Sequence, residues 1–237
     1  MNVGCGPGDL TKLLLNFTNL GRIVGLDISN EMLAIATCFS DDERISYVKG
    51  SIEDPKTIPS DLSNQGCDIV ISLATFHWLS SIEGGLKNVY DCLKPGGLFL
   101  LTLPVSVIPC WLKVKAFLNN SKWKGPACEG AMMKMLKRMD LFKPDESAEK
   151  IVGGMMEKLG YEILQNSLVQ HSAYMSLSEL RGYYESIIRN VAAVLPAADR
   201  QEFTDSVFEH YLSGVTKIDD NSYIFKVPNL YILARKK

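Results

Sequence analysis

Three glycines in strict alternation, Gly4, Gly6 and Gly8, stand in the run Met1-Asn2-Val3-Gly4-Cys5-Gly6-Pro7-Gly8-Asp9-Leu10-Thr11. Without Cβ atoms such a loop turns sharply from a strand into a helix and lets backbone approach a ligand closely, while the first helical amides present positive dipole. That is a nucleotide-sized cradle. The dinucleotide fingerprint needs a further glycine at the place held by Asp9, so the NAD reading fails at its own motif. Downstream, Ile23-Val24-Gly25-Leu26-Asp27 reads as a second strand ending in an acid. Its carboxylate can take two ribose hydroxyls, or serve only as a helix N-terminal acid.

A second group with chemistry is Thr75-Phe76-His77-Trp78-Leu79, after the apolar run Cys67 to Leu73. Imidazole and indole N–H groups there can hold a substrate oxygen. The alternatives are a structural hydrogen bond for His77 and a core plug for Trp78. No Ser-His-Asp or paired-carboxylate pattern is present. The six cysteines form no C-x-x-C pair and the three histidines lie far apart, so neither a disulfide framework nor a zinc site follows.

The glycine loop, Asp27 and Leu93-Lys94-Pro95-Gly96-Gly97-Leu98, in that order, resemble the class I S-adenosylmethionine (SAM) methyltransferases. Thr75 to Leu79, Asn88-Val89-Tyr90 and Lys122-Trp123 resemble more closely the juvenile hormone acid methyltransferase-like proteins of arthropods. The resemblance implies a Rossmann-like α/β fold: a mostly parallel seven-stranded sheet with helices on both faces and a helical substrate cap. It implies SAM as cofactor, held by Gly4, Cys5, Gly6, Gly8, Asp27, Ile28, Met32, Ser51, Ile52 and Leu73. Ser51 stands where an adenine-holding aspartate is usual, and Asn2 where an acid usually precedes the loop. His77 and Trp78 are the implied catalytic pair, with Trp78, Trp111 and Trp123 as substrate-binding residues. The arthropod enzymes use the tryptophan of the His-Trp pair, matched by Trp78, with a glutamine of an amino-terminal segment that this sequence lacks.

These groups need elements to carry them. Leu10, Leu13, Leu14 and Phe17 keep helical spacing after the loop, and Ser29 can cap a helix with Met32, Ile35, Ala36 and Phe39 on one face. Ile45 to Val48 reads as the third strand and Cys67 to Leu73 as a fourth, buried on both faces. Ile82, Leu86, Val89, Tyr90 and Leu93 mark the next helix, and Leu98 to Leu103 the fifth strand. This alternation predicts a parallel sheet with right-handed crossovers, and ligands then sit outside the carboxyl ends of the strands.

Alternation stops at Pro104. Pro109 can open a helix with Trp111, Val114, Phe117 and Leu118, and Met132, Met135, Leu136 and Met139 form a second run. Residues 104–145 and 172–218 read as cap insertions of a single domain, 1–237. Between them a helix with Ile151, Met155 and Leu159 inward leads to a sixth strand over Tyr161 to Val169. Ser176 and Glu179 form a capping-box pattern, and Tyr223 to Leu233 suggest a last, antiparallel strand.

The 237 residues can bury one large core, and 46% apolar with 22% charged residues reads as a soluble globular chain. With 25 basic and 27 acidic residues there is no electrostatic case for nucleic acid. No apolar run reaches the ~20 residues that span a bilayer, so no stable membrane association is expected. No signal peptide precedes the loop, so cytoplasm is the default. The sequence starts three residues before Gly4, which predicts a missing amino-terminal helix and a shortened first strand. Three functions stay open: O-methylation of an apolar small acid of the farnesoic or juvenile hormone acid type; methylation of another small molecule, such as an aconitate-like acid; or a truncated, non-catalytic protein.

Overall fold

The computed structural model describes residues 1–16, 20–105, 109–139 and 147–237. Phe17, expected on the first helix, lies outside the described residues, as do the side chains of Leu136 and Met139. The chain forms two compact units: Met1–Pro104 with Asp145–Val169 and Leu230–Lys237, and Val105–Pro144 with Gln170–Asn229.

The first unit is built on β1 (Asn2–Val3), β2 (Ile23–Asp27), β3 (Ile45–Lys49), β4 (Cys67–Leu73) and β5 (Leu93–Pro104). Parallel pairs join β1 to β2, β2 to β3, β1 to β4 and β4 to β5. With β6 (Tyr161–Ser176) and β8 (Ser222–Lys236), the strand order is β3-β2-β1-β4-β5-β8-β6, and β7 (Thr216–Lys217) pairs antiparallel with β8. The order reverses between β1 and β4, the crevice where open α/β sheets bind ligands. The mostly parallel sheet matches the expected fold class.

β5 starts earlier than expected. Cys67 pairs with Leu93 and Ile69 with Leu98, so Lys94 to Gly97 bulge out between two ladder positions, with Gly96 at φ 79°. β6 is longer than expected, ending at Ser176 rather than Val169.

The helices of this unit are α1 (Asp9–Leu13), α2 (Asn30–Cys38), α3 (Ile82–Cys92) and α6 (Ala148–Lys158). α3 follows its sequence pattern: Ser81 accepts the Gly84 N–H, and Leu86 and Val89 are fully buried. α1 does not. Leu10 and Leu13 are exposed, because Asn2 Nδ2 donates to Thr11 Oγ1 at 2.9 Å and turns Thr11 inward. In α2 only Ala36 is buried, with Ile35 and Phe39 exposed. In α6 the buried stripe is Val152 and Met156, one residue beyond the expected Ile151 and Met155. Phe76, Phe99 and Tyr161 anchor the core, the Tyr161 hydroxyl donating to Leu86 O at 2.9 Å. Lys236 Nζ caps the end of α3, donating to the carbonyls of Tyr90 (2.7 Å) and Leu93 (2.8 Å).

The second unit holds α4 (Pro109–Asn119), α5 (Pro126–Met139), α7 (Leu177–Ala192) and α8 (Arg200–Leu212). α7 starts with the expected capping box: Ser176 N donates to Glu179 Oε2 at 2.8 Å and Glu179 N to Ser176 Oγ at 3.3 Å. Trp111 stacks on Tyr184 at 5.9 Å and meets Tyr211 at 4.8 Å, forming the centre of an aromatic core. No helix of the described residues is long and apolar enough to cross a membrane.

Candidate functional site

Val3 hands the chain to a loop hung on β2. Gly4 N and Cys5 N both donate to Leu26 O, at 2.7 and 3.1 Å. Gly4, Gly6 and Gly8 take φ values of 69°, 55° and 89°, the left-handed region that side chains resist. The three differ in what surrounds them. A Cβ on Gly4 would land inside the Thr75 side chain, and one on Gly8 would meet the Tyr47 phenol and Ala36. A Cβ on Gly6 would meet none of the described residues within 4 Å. The loop is therefore packed from behind at its ends and open at its centre.

Asp27 fixes that centre. Its Oδ2 accepts the Gly6 N–H at 2.9 Å and its Oδ1 the Ser29 N–H at 2.9 Å. A carboxylate offers about four acceptor sites, so two backbone bonds leave capacity for ligand hydroxyls. Ile28 beside it is 70% exposed, and half-buried Met32 donates its amide to the Ser29 hydroxyl at 3.2 Å. The Cys5 thiol is buried, and that burial, with the Asp27 charge adding to it, pushes its pKa up to about 12. It stays protonated near neutral pH and is no nucleophile.

Tyr47 packs against the back of the glycine loop, a placement that the sequence pattern did not single out. It pairs with Gly25 across β2 and β3, and its hydroxyl lies 3.5 Å from Gly8 O. Burial raises its pKa, keeping the phenol neutral. The available signal was Gly25 itself, a side-chain-free position in the middle of a strand, where a Cβ would press on the Tyr47 ring and Cys5 Sγ.

After β3, Ser51 Oγ accepts the Glu53 N–H at 3.2 Å, and Ser51 N donates to Thr57 Oγ1 at 2.8 Å. Ile52 is 2% exposed, its side chain in the core and its carbonyl accepting Asn88 Nδ2 at 2.7 Å. After β4, half-buried Leu73 leads into Ala74, a non-glycine residue at φ 52° whose N–H meets Thr102 O and Oγ1, both at 3.1 Å. Backbone held in that region stores strain, and here it re-aims the chain. Thr75 Oγ1 lies 3.4 Å from Gly4 O. A 3-10 turn, Phe76–Trp78, follows, with Phe76 fully buried against Phe99. His77 is 7% exposed, Trp78 is half-buried, and their rings lie 4.7 Å apart.

The structure thus gathers Gly4, Cys5, Gly6, Gly8, Asp27, Ile28, Met32, Ser51, Ile52, Leu73, His77 and Trp78 in the first unit, at or just beyond the carboxyl ends of β1 to β4. Trp111 and Trp123 belong to the second unit. Trp111 is fully buried and its indole N–H has no hydrogen-bond partner among the described residues; Trp123 packs edge-on against Phe203 at 5.6 Å under Lys122 Nζ. Among the described residues, no group of His, Cys, Asp or Glu side chains could hold a metal ion. A nucleoside fits the cradle: the open side of Gly6, the spare acceptor sites of Asp27 and the exposed Ile28 offer close backbone approach, a hydroxyl acceptor and an apolar surface.

Residues 1–101 match the methyltransferase domain family. The chain is 27% identical to juvenile hormone acid O-methyltransferase of Bombyx mori, over 92% of this chain and 74% of that protein. It is 31% identical to trans-aconitate 2-methyltransferase of Variovorax paradoxus, over 100% of this chain and 86% of that protein. In fold it is similar to phosphoethanolamine N-methyltransferase 2 of Haemonchus contortus in complex with S-adenosyl-L-methionine, with a TM-score of 0.52 and 17% identity over 99% of this chain and 47% of that one.

Proposed function

The chain belongs to the class I S-adenosylmethionine-dependent methyltransferases, and from that premise we propose that it methylates the carboxylate of a small apolar acid, of the farnesoic or juvenile hormone acid type. The observation that carries this reading is Thr75. Its side chain fills the space behind Gly4, and the His77-Trp78 turn starts at the next residue, so the cofactor cradle and the acceptor-holding pair share one wall.

The roles follow from that wall. Gly4, Gly6 and Gly8 give the cofactor close backbone approach, and Asp27 accepts the ribose hydroxyls with the capacity that Gly6 and Ser29 leave it. Ile28 and Met32 flank the adenosine, and Ser51 and Ile52 bound the adenine side through their backbone. Cys5 and Leu73 pack the floor. Bound there, SAM would supply a methyl group on a sulfonium, an electrophile toward which an ionised carboxylate needs no general base. The carboxylate is already ionised near neutral pH. The chain's own work is therefore to orient and to exclude water. His77 and Trp78 do this through ring N–H donation to the acceptor oxygen and through apolar ring surface.

Calorimetric titration of S-adenosylhomocysteine tests the cradle, with micromolar affinity expected, about −8 kcal/mol. A folded sample that gives no heat would sink the reading. Turnover of farnesoic acid against trans-aconitate tests the acceptor. The 31% identity to a trans-aconitate enzyme supports a second reading, a hydrophilic acid acceptor, and preferential turnover of trans-aconitate would establish it over the first.

A further inference from the structure

One carboxylate ties the loop after β3 to the turn after β4. Glu53 Oε1 accepts from Ser80 N at 2.7 Å, from Ser80 Oγ at 2.5 Å and from Ser81 N at 3.2 Å. The next residue back in that loop is tied as well, because Asn88 Nδ2, one and a half turns into α3, donates to Ile52 O. Ser81 is also the cap of α3, accepting the Gly84 N–H at 3.0 Å. The Glu53 bonds therefore meet the chain between the His77-Trp78 turn and the helix that follows it. Hydrogen bonds to an ionised acceptor are short and directional, and three on one oxygen fix a position as well as a contact.

The loop so tied carries Ser51 and Ile52. The turn so tied carries His77 and Trp78. Phe76 anchors the turn to the core at its start and Ser81 joins its end to α3, while Leu79 is half-buried and Ser80 and Ser81 are exposed. Glu53 adds the tie to the loop after β3. We propose that Glu53 is a positioning residue that fixes the His77-Trp78 turn against the Ser51–Asp54 loop, so that the acceptor side and the cofactor side of the site keep one spacing. This rests on the reading of those two segments as the acceptor and cofactor sides. Misplacing a catalytic group by about 1 Å costs up to about 100-fold in rate, so a tether of this kind acts on turnover more than on cofactor affinity.

The test uses Glu53→Ala, Glu53→Gln and Ser80→Ala in the full chain, with melting temperatures confirming that each is folded. Amide exchange needs no ligand and reads the tie directly: Ser80 and Ser81 N–H exchange about tenfold faster in Glu53→Ala and near the parent rate in Glu53→Gln, whose amide oxygen accepts the same bonds. With SAM and farnesoic acid, kcat falls about tenfold in Glu53→Ala while S-adenosylhomocysteine affinity stays within about threefold, and Glu53→Gln recovers most of kcat. Ser80→Ala, which removes one donor of three, falls between. Unchanged exchange at Ser80 and Ser81, or parent-like kcat in Glu53→Ala, overturns the proposal. So does a loss in Glu53→Gln equal to that in Glu53→Ala. Failure of the underlying functional reading is distinguishable, because it shows in the unsubstituted chain as absent S-adenosylhomocysteine binding, while the exchange experiment still reports on the tie.

Discussion

At the glycine loop, side chains fill the space behind Gly4 and Gly8 and leave the space at Gly6 open; in the second unit, Trp111 has Tyr184 and Tyr211 against its ring and no exposed surface. Both regions contain residue types common in ligand sites. They differ in whether neighbouring elements consume the surface those residues offer. An indole among other aromatic rings is core first, whatever its potential as a donor. A glycine whose absent side chain faces empty space keeps its surface for a ligand.

Replacements on the two sides sharpen the contrast. Trp111→Ala should cost about 3–5 kcal/mol in urea unfolding, the range for a deleted core tryptophan. Trp111→Phe retains most of the packing, and acceptor KM within about twofold of the parent is expected; a large rise in KM at unchanged stability would break the comparison by making Trp111 a ligand contact. Gly4→Ala should destabilise by about 3 kcal/mol, combining left-handed backbone strain with displacement of Thr75. Gly6→Ala carries the strain alone, about 1 kcal/mol, yet should weaken S-adenosylhomocysteine binding at least tenfold, because its methyl enters the open space. Equal stability losses at the two glycines would remove the distinction between packed ends and open centre.

Asp27→Asn should weaken the same ligand by about 2 kcal/mol, roughly 30-fold by calorimetry, as a charged acceptor is lost while the amide oxygen still receives Gly6 N–H. The pH response compares the floor of the cradle with the far end of the sheet, since burial pushes both Cys5 and Cys92 up to about 12. The unfolded chain releases these protons near pH 9 and the folded chain only near 12. Stability from these thiols is therefore fully present below about pH 9 and falls as pH rises to about 12. Unfolding curves across that window should flatten in a Cys5→Ala, Cys92→Ala double variant. The smallest effect is at Ala74, where glycine relieves the left-handed backbone but loosens the unfolded chain; a net gain of about 0.5 kcal/mol is expected.

The sequence pattern made the sheet legible where strands are continuous apolar runs, as at Cys67 to Leu73, and made α3 and α7 legible because each has a serine cap and a full apolar stripe. Short helices were less so. Helical spacing gives a period but not a phase, and a five-residue helix such as α1 is rotated by one buried polar bond, Asn2 to Thr11, at the expense of Leu10 and Leu13. Gly4, Gly6, Gly8 and Asp27 were legible because local spacing defines their chemistry. Tyr47 and Glu53 were not, because their roles come from distant partners: Gly8 is 39 residues from Tyr47, and Ser80 is 27 from Glu53. Ala74 gave no sign at all, since nothing in an alanine announces a positive φ.

The strand order has a consequence in time. Among the described residues β6 reaches the sheet through β8, yet forty-five residues lie between Ser176 and the start of β8 at Ser222. At about 5–20 residues per second, a ribosome needs roughly 2–9 s to make them. Throughout that interval a sixteen-residue strand bearing Leu164, Leu168 and Val169 waits without its partner, an open hydrogen-bonding edge on a nascent chain. The completed parallel half of the sheet cannot shelter it, so this vulnerable moment comes after the cradle for the cofactor is already built.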